Sequence, residues 1–390
     1  MSRWPKVALS DLILRVERFE DRDDFKTYTF GGTYSYARGI FVSGKKVGSS
    51  FALPRIQRIR KGDFVYCKIM AWEGAFGVVP TEADNCVLSN AFVVYETNQR
   101  VLDINFLGYY FKVSSHWNAI GSQSTGTNVR RQSLHPSQFE KHQIPLPPID
   151  EQRTIVTRLD AVTDKVRQVE AKLDEIEIDL TKLLVSMAHR ADLTEAKKVK
   201  YGWRFVQIND FLSLFSDQVL VDPAESYPNV GIYSYARGLF EKPPINGLAT
   251  SAKSLFRIKS GLFIYSRLFA FEGAYGLVPE SFDGHYVSNE FPTFLVDENQ
   301  ATPEFLFAYF KSHIIWSELA MGSKGLGDRR QRVHPEQILE KKIWLPPLDY
   351  QKKLSQIFAK VEEKKLANFE QKKAIQALLP SVLEGIFKNS

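Results

Sequence analysis

The stretch that decides the fold is residues 150–188, DEQRTIVTRLDAVTDKVRQVEAKLDEIEIDLTKLLVSMA. Its apolar residues recur at steps of four and three, which is the heptad pattern of a long helix with one apolar edge. The positions of this predicted seam are Ile155, Leu159, Val162, Val166, Val169, Leu173, Ile176, Leu180, Leu183 and Met187. At about 1.5 Å per residue the helix is a rod of roughly 50 Å, so its seam needs an equally long partner.

We expect that partner in the same chain, because the sequence repeats itself. The hexapeptide YSYARG occurs at 34–39 and again at 233–238. RIRKGDFVYCKIMAWEGAFGVVP at 58–80 corresponds to RIKSGLFIYSRLFAFEGAYGLVP at 257–279, and RRQ recurs at 130–132 and 329–331. Self-similarity over the whole chain indicates an internal duplication, in which each copy is a mostly β domain followed by a long helix.

The second long helix, predicted over 350–387, has a weaker seam. The apolar pattern continues through Leu354, Phe358, Val361, Ile375, Leu379, Val382 and Ile386. In its middle, Lys365, Asn368 and Lys372 replace Val166, Val169 and Leu173 of the first copy. Polar residues at seam positions weaken packing but specify register. Pro380 should kink or interrupt the helix. The lysine-rich exposed face is either a solvated surface or a contact surface for DNA or a partner protein.

Composition bounds the class of protein. The 390 residues are 44% hydrophobic and 25% charged, which is ordinary for a globular chain of two or three domains. A net charge of +6 permits a nucleic-acid partner without requiring one. We expect a cytoplasmic protein without membrane contact, because the sequence shows neither a signal peptide nor an apolar run of spanning length. Cys67 and Cys86 are not repeated in the second copy, so we expect free thiols.

No enzyme signature is found in the sequence. It contains no Walker or dinucleotide-binding glycine pattern and no His or Cys pairs at zinc-binding spacing. Few carboxylates are shared by both copies, and among them are Glu73 with Glu272 and Asp150 with Asp349. Glu73 lies in the turn WEGAFG, where a strand-end hydrogen bond is the expected role. A duplicated chain without duplicated chemistry is typical of a binding protein, with no catalytic, metal or cofactor site of its own.

The polar residues that are duplicated lie in two loops of each copy. Arginine can read guanine and glutamine can read adenine, while serine, threonine, asparagine and lysine contact phosphate, so we predict DNA contact there. For any single arginine a surface salt bridge is an equal alternative. In the first copy the predicted DNA-binding residues are Tyr34, Tyr36, Arg38, Lys45, Lys46, Ser122, Gln123, Thr125, Asn128, Arg130, Arg131 and Gln132. In the second copy they are Tyr233, Tyr235, Arg237, Ser323, Lys324, Arg329, Arg330, Gln331 and Arg332.

Over its full length the chain resembles the specificity subunits of type I restriction–modification systems. The most specific motif is the junction IPLPPIDEQRTIVTRLD, with a poorer copy IWLPPLDYQKKLSQIFA in which Tyr350 replaces Glu151 and leaves the helix start open. The resemblance implies an α+β fold of two similar mixed α/β target-recognition domains, separated and joined by two long antiparallel coiled-coil helices with pseudo-two-fold symmetry. The implied boundaries are 1–149 and 200–348 for the domains, and 150–199 and 349–390 for the helices.

The resemblance also implies a function. Each recognition domain would read one half of a gapped double-stranded DNA site, and the helices would set the gap. The chain itself would be non-catalytic, with S-adenosylmethionine, ATP and Mg in partner subunits: two methyltransferase subunits and, in some systems, motor–nuclease subunits. The alternatives are a coiled-coil scaffold that binds protein and a self-contained enzyme. Because the two copies are so alike, we further expect related half-sites that differ through Lys45-Lys46 against Pro244-Ile245 and Asn128-Val129 against Gly327-Asp328.

Overall fold

The duplication in sequence is a duplication in structure. The computed structural model describes residues 4–122, 132–321 and 332–387. The strands of the first domain are β1 (Lys6–Ala8), β2 (Ile13–Val16), β3 (Phe19–Asp21), β4 (Thr27–Thr33), β5 (Ile40–Val47), β6 (Arg55–Arg58), β7 (Phe64–Cys67), β8 (Phe76–Val78), β9 (Val87–Leu88), β10 (Phe92–Thr97) and β11 (Gln143–Pro145). Those of the second are β12 (Arg204–Gln207), β13 (Leu212–Phe215), β14 (Gln218–Leu220), β15 (Ser226–Ile232), β16 (Leu239–Asn246), β17 (Ser254–Arg257), β18 (Phe263–Tyr265), β19 (Tyr275–Leu277), β20 (Tyr286–Val287), β21 (Thr293–Val296) and β22 (Lys342–Leu345).

The strands of each domain form three sheets with the same topology. The first domain has a four-stranded sheet in the order β2-β10-β7-β8 and a five-stranded sheet in the order β3-β6-β9-β4-β5. The second domain has the corresponding sheets β13-β21-β18-β19 and β14-β17-β20-β15-β16. A short antiparallel pair, β1-β11 or β12-β22, joins the start of each domain to its end. This pairing places each domain's last strand directly before a long helix.

One inner strand of each four-stranded sheet, β7 or β18, is buried at every position. In β7 the buried residues are Phe64, Val65, Tyr66 and Cys67. Phe64 and Tyr66 pack in the larger core beneath the helices, while Val65 packs in a second, smaller core. The strand therefore separates two cores, which is why its residues are apolar at every position.

Two consecutive helices follow β10 in the first domain and β21 in the second. They are α1 (Ile104–Lys112) with α2 (Ser114–Gly121) in the first domain, and α6 (Pro303–Phe310) with α7 (His313–Met321) in the second. A short helix follows in each copy, α3 (Pro136–Glu140) or α8 (Pro335–Leu339). The aromatic residues of α1 and α6 are mostly buried, in agreement with a packing role.

The long helices lie where the heptad pattern predicts them. The first, α4, is continuous over Ile149–His189, and α5 (Glu195–Lys200) follows it. The second consists of α9 (Leu348–Gln376) and α10 (Leu378–Phe387). The interruption at Ala377 confirms the break expected near Pro380, because proline removes a backbone donor and crowds the preceding turn. Despite Tyr350, α9 begins at the position equivalent to the start of α4. None of the helices in the described ranges is long and apolar enough to cross a membrane.

The chain divides into two compact units whose boundaries cross the long helices. The first unit contains residues 1–171 with 371–390, and the second contains 172–370. In the first unit, Ile155 and Leu159 of α4 share a core with Leu383 and Phe387 of α10. In the second unit, the end of α4 shares a core with the start of α9. Each unit thus combines the beginning of one long helix with the end of the other, which is the order of an antiparallel pair.

The buried face of α4 departs from the predicted seam toward its end. Ile155, Leu159 and Leu173 are buried, and Val162, Val166, Val169 and Leu180 are half-buried. Ile176, however, is 39% exposed, so its assignment to the buried seam is wrong. Leu184 and Ala188 are buried where the heptad predicts Leu183 and Met187. A helix of 3.6 residues per turn drifts by about 20° per heptad against a strict seven-residue repeat, so the buried face moves on by one residue.

A buried glutamine fastens each long helix to its own domain. The Gln152 side chain accepts a hydrogen bond from the Asp103 amide at 2.9 Å and donates to the carbonyls of Val101 and Pro147 at 2.9 and 2.8 Å. Gln351 makes the same three bonds, with Thr302, Gln300 and Pro346. Both glutamines are fully buried. The junction motif that most strongly marks the resemblance is therefore a structural clamp.

Candidate nucleic-acid interface

The turn at 34–39 holds two consecutive non-glycine residues in a backbone conformation that normally suits glycine. Tyr36 and Ala37 have φ values of 63° and 50°, and Tyr235 and Ala236 of the second copy have 64° and 49°. Two consecutive residues with positive φ favour Asn-Gly, and a bulky side chain there costs roughly 1–2 kcal/mol. Strain of this kind persists only where the surroundings enforce it, and it concentrates at functional sites.

The positive φ values of the turn are enforced by one short segment, Glu73-Gly74 in the first copy. The amides of Tyr36 and Ala37 donate to the carbonyls of Glu73 and Gly74, both at 2.7 Å, and the Ser35 hydroxyl donates to the Glu73 carboxylate at 2.8 Å. In the second copy the corresponding distances are again 2.7, 2.7 and 2.8 Å. Gly74 is required, since a Cβ there would lie 2.7 Å from the ring of Trp117.

The turn presents aromatic and cationic groups at the surface. Tyr36 is 64% exposed and Tyr235 is 66% exposed. The Arg38 guanidinium lies 5.1 Å from the centre of the Tyr34 ring, and its Nε donates to the Ser35 carbonyl at 3.1 Å. Arg237 repeats both contacts in the second copy, at 4.8 and 3.0 Å. The terminal nitrogens of a guanidinium held in this way can bind a base edge or a phosphate.

The second predicted loop of the first copy follows helix α2. It begins and ends beside residues 68–73, the segment that includes Glu73. Helix α2 ends at Gly121, where a Cβ would lie 2.8 Å from the Cα of Trp72. On the far side of the loop, the Leu134 amide donates to the carbonyl of Lys68 at 3.0 Å. In the second copy the Val333 amide donates in the same way to Arg267, at 3.1 Å. Both ends of the loop therefore lie beside the segment that supports the strained turn.

Many of the predicted loop residues lie outside the described part of the chain. These are Gln123, Thr125, Asn128, Arg130, Arg131, Ser323, Lys324, Arg329, Arg330 and Gln331. Of the described ones, Ser122 donates to the Ala119 carbonyl at 3.0 Å, and Gln132 is half-buried. Arg332 forms an ion pair with Glu290, with both N···O contacts at 3.2 Å. Arg332 thus shows the salt-bridge alternative that the sequence left open.

Lys45 and Lys46 lie apart from the turn, on the long strand β5. They pair with Thr29 and Tyr28 of β4 in the five-stranded sheet, and both are exposed. The Lys46 ammonium lies 5.7 Å from the centre of the Phe30 ring. In the second copy the equivalent strand β16 carries Pro244 and Ile245 there, so this surface differs in charge between the domains.

Sequence reasoning missed several residues of this surface. It treated Ser35 as a loop residue and Glu73 as a strand-end group. Both residues recur in the second copy as Ser234 and Glu272, and this recurrence could have indicated a shared contact. The exposed apolar side chains of Ile69, Met70 and Phe269 carry no comparable signal.

A buried lysine lies beneath the turn of the second domain. The Lys311 ammonium donates to the Ala236 carbonyl at 3.0 Å and lies 4.0 Å from the centre of the Phe307 ring. Burial, with a smaller contribution from nearby Lys365, lowers the pKa of Lys311 to about 7. The first domain instead has a cleft of about 640 Å³ there, lined by Gly108, Lys112, Asp160 and others. The described residues contain no group of three or more side chains placed to bind a metal ion.

Comparison with known proteins places the chain in a family. The type I restriction modification DNA specificity domain matches residues 1–178 and 200–377, so the chain belongs to that family, with one copy in each repeat. The specificity subunits of the type I restriction enzymes EcoKI of Escherichia coli and StySPI of Salmonella potsdam are each 30% identical over 78 residues. These matches span 20% of this chain and 16% of each relative.

The fold also has a counterpart among solved structures. A chain from a structural study of the assembly and conformational transition of the type I R-M system aligns with a TM-score of 0.63 and 18% identity. The alignment covers 98% of this chain and 97% of that one. At this identity the likeness establishes the fold: two similar recognition domains with long helices between and after them.

Proposed function

We propose that the chain is the DNA-reading subunit of a type I restriction–modification complex, in which each recognition domain reads one half of a gapped bipartite site. The observation that carries the proposal is the strained turn, which recurs in both domains with the same hydrogen bonds and the same exposed tyrosines and arginine. Arginine beside aromatic rings is suited to base edges and phosphates.

The proposal includes a division of labour. The chain carries no catalysis, and S-adenosylmethionine, ATP and Mg act in partner subunits: two methyltransferase subunits, joined in some systems by motor–nuclease subunits. A cytoplasmic location follows from that role. The family assignment supports this division of labour. The continuous 41-residue helix α4 supports the DNA-reading role, since a rod of this length can hold two recognition domains at a set spacing.

We further propose that the two half-sites are related, so that the complete site is an interrupted near-palindrome. The identical turns would read what the half-sites share. Differences between them would come from Lys45-Lys46 against Pro244-Ile245 and from the second loops. Mapped half-sites that are unrelated in sequence would contradict this part of the proposal.

The test is methylation of host DNA. The chain is co-expressed with its methyltransferase subunits, and single-molecule sequencing maps the methylated motif. We expect a bipartite gapped motif, and we expect Arg38→Ala to relax one half of it and Arg237→Ala the other. A methylated motif that is continuous, or one that both variants leave unchanged, would contradict the proposal.

The spacer role has its own test. Deletion of one heptad, 163–169, should change the tolerated gap while both half-sites stay the same. Loss of assembly is the competing outcome, because the partner helix keeps its full length, and size-exclusion chromatography of the complex identifies it.

The second candidate function is a scaffold whose helices and β domains bind protein. The exposed apolar residues Leu366 and Phe369 on α9 favour it. Salt dependence separates the two, since phosphate contacts release counterions and make DNA affinity fall steeply with salt. A scaffold would show no such dependence.

A further inference from the structure

We propose that Glu73 and Glu272 are positioning residues for DNA recognition, each holding the strained turn of its own domain so that Arg38 or Arg237 is presented in one orientation. The inference rests on the proposed function and adds to it a residue that contacts no DNA itself. Glu73 and Glu272 are equivalent carboxylates of the two copies.

Glu73 holds the turn at two points. Its main-chain carbonyl accepts from the Tyr36 amide at 2.7 Å, and its carboxylate accepts from the Ser35 hydroxyl at 2.8 Å. The residue is half-buried at the end of the 3-10 helix Lys68–Glu73, so its backbone is itself fixed. One residue therefore fixes both the strained peptide and the serine that precedes it.

The serine connects this support to the arginine. The Ser35 carbonyl accepts from the Arg38 Nε at 3.1 Å, while its hydroxyl donates to Glu73. In the second domain, Ser234 lies in the same way between Glu272 and Arg237, at 2.8 and 3.0 Å. A change at the glutamate is thus transmitted through one residue to the guanidinium.

The contacts that hold the turn are the same in both domains. All five contacts of the turn agree between the domains to within 0.3 Å, including the arginine–tyrosine distances of 5.1 and 4.8 Å. The turn of the second domain is also supported by Lys311, yet it has the same geometry. The serine–glutamate contact is common to both.

The experiment uses the full chain in complex with its methyltransferase subunits. The probe is a fluorescent duplex that carries the motif methylated by the wild-type complex, and the competitors are duplexes altered in one half-site at a time. The variants are Glu73→Ala, Glu73→Gln, Glu272→Ala and Glu272→Gln. Glu82→Ala and Glu280→Ala remove exposed carboxylates of the same domains and serve as matched controls.

We expect each alanine variant to raise the Kd for the probe about tenfold, as loss of one well-placed hydrogen bond does. Glu73→Ala should discriminate less only in the half-site that Arg38→Ala affects, and Glu272→Ala only in the other. The glutamine variants should restore affinity to within about twofold, because the amide oxygen still accepts from the serine. The controls should bind like wild type.

The inference is overturned if the alanine variants bind and discriminate like wild type, or if glutamine behaves like alanine. Equal loss at both half-sites would also overturn it, because that pattern indicates general destabilisation. A wild-type complex without sequence-specific binding would instead overturn the proposed function itself, so the two failures are distinguishable.

Discussion

The two recognition domains share the strained turn but differ in what lies beneath it. In the second domain, Lys311 donates to the Ala236 carbonyl from below, and the rings of Phe307 and Phe358 pack around its side chain. In the first domain the residue at the position of Phe307 is Gly108, which leaves a cleft. The equivalent of Lys311 is Lys112, which is exposed and lies 4.6 Å from the centre of the Tyr109 ring.

The long helices also contribute to the difference, because α4 and α9 have different residues at the equivalent positions beside the turn. Asp160 and Arg167 of α4 line it, where α9 has Ala359 and Leu366. Asp160 accepts a hydrogen bond from the Tyr109 hydroxyl at 2.6 Å, and burial together with this carboxylate raises the pKa of Tyr109 to about 12. One backbone turn is therefore supported by a packed lysine in one copy and stands over a polar, open cleft in the other. Equal turn geometry does not require equal support.

The largest expected effect tests a feature that both domains share, the buried glutamine at the start of each long helix. Gln152→Ala should lower the free energy of unfolding by about 3 kcal/mol, because three buried backbone groups lose their partner and a cavity forms. Gln351→Ala should cost the same, since its three bonds match. Urea unfolding followed by circular dichroism measures both.

Gln168→Ala is the control for this pair, as Gln168 is exposed on α4 and should change stability little. If only one of the two glutamine variants lowers the free energy of unfolding, the two domains are not equivalent at the helix junction.

The next effect tests the difference between the two domains beneath the turn, where the second domain has the buried Lys311. The pKa of Lys311 is about 7 in the folded chain and near 10.4 when unfolded, so the unfolded state binds more protons between these values. Stability of the second unit should therefore rise with pH in this window, by about 2 kcal/mol between pH 7 and pH 9 relative to Lys311→Met. Below pH 7 both states are protonated and the difference should level off.

Lys112→Met is the matched variant in the first domain. It should remove less pH dependence than Lys311→Met, because the Lys112 side chain remains in contact with solvent, although burial lowers its pKa as well. Urea unfolding of each variant at pH 7, 8 and 9 gives the comparison. If Lys112→Met and Lys311→Met change the pH slope equally, the two turns are supported alike and the contrast is wrong.

The smallest expected effect concerns the seam. Asn368 of α9 is buried, and its side-chain amide pairs with no protein group within the described ranges. The equivalent residue of α4 is Val169. Asn368→Val should raise the free energy of unfolding by about 1 kcal/mol, and Val169→Asn should lower it by a similar amount. Thermal unfolding measures both, and a destabilising Asn368→Val would show that this polar residue is needed for register.

Much of the architecture could be predicted because it depends on periodic patterns. The heptad repeat predicted a long helix over 150–188, and α4 spans Ile149–His189. The duplication predicted two domains of one topology, which the strand orders confirm. Pro380 marked a break that lies at Ala377. The error at Ile176 arose because a strict seven-residue count ignores the drift of a 3.6-residue helix.

The candidate site was only partly predictable. Tyr34, Tyr36 and Arg38 could be selected because YSYARG occurs twice. That Tyr36 and Ala37 adopt positive φ could not, because their residue types argue against it and the hydrogen bonds that enforce it come from Glu73 and Gly74, far along the chain. Arg332 could not be separated from its neighbours, since its partner Glu290 is 42 residues away in sequence.

By itself the sequence determined the duplication, the two long helices and the polar residues that recur in both copies, because repetition and helical periodicity are properties of order along the chain. The tertiary structure alone decided how those residues are used. It joined Glu73 to the turn, buried Lys311 while leaving Lys112 exposed, and made Gln152 and Gln351 clamps. Each of these depends on which distant groups meet and how much water they exclude, and neither spacing nor composition specifies that.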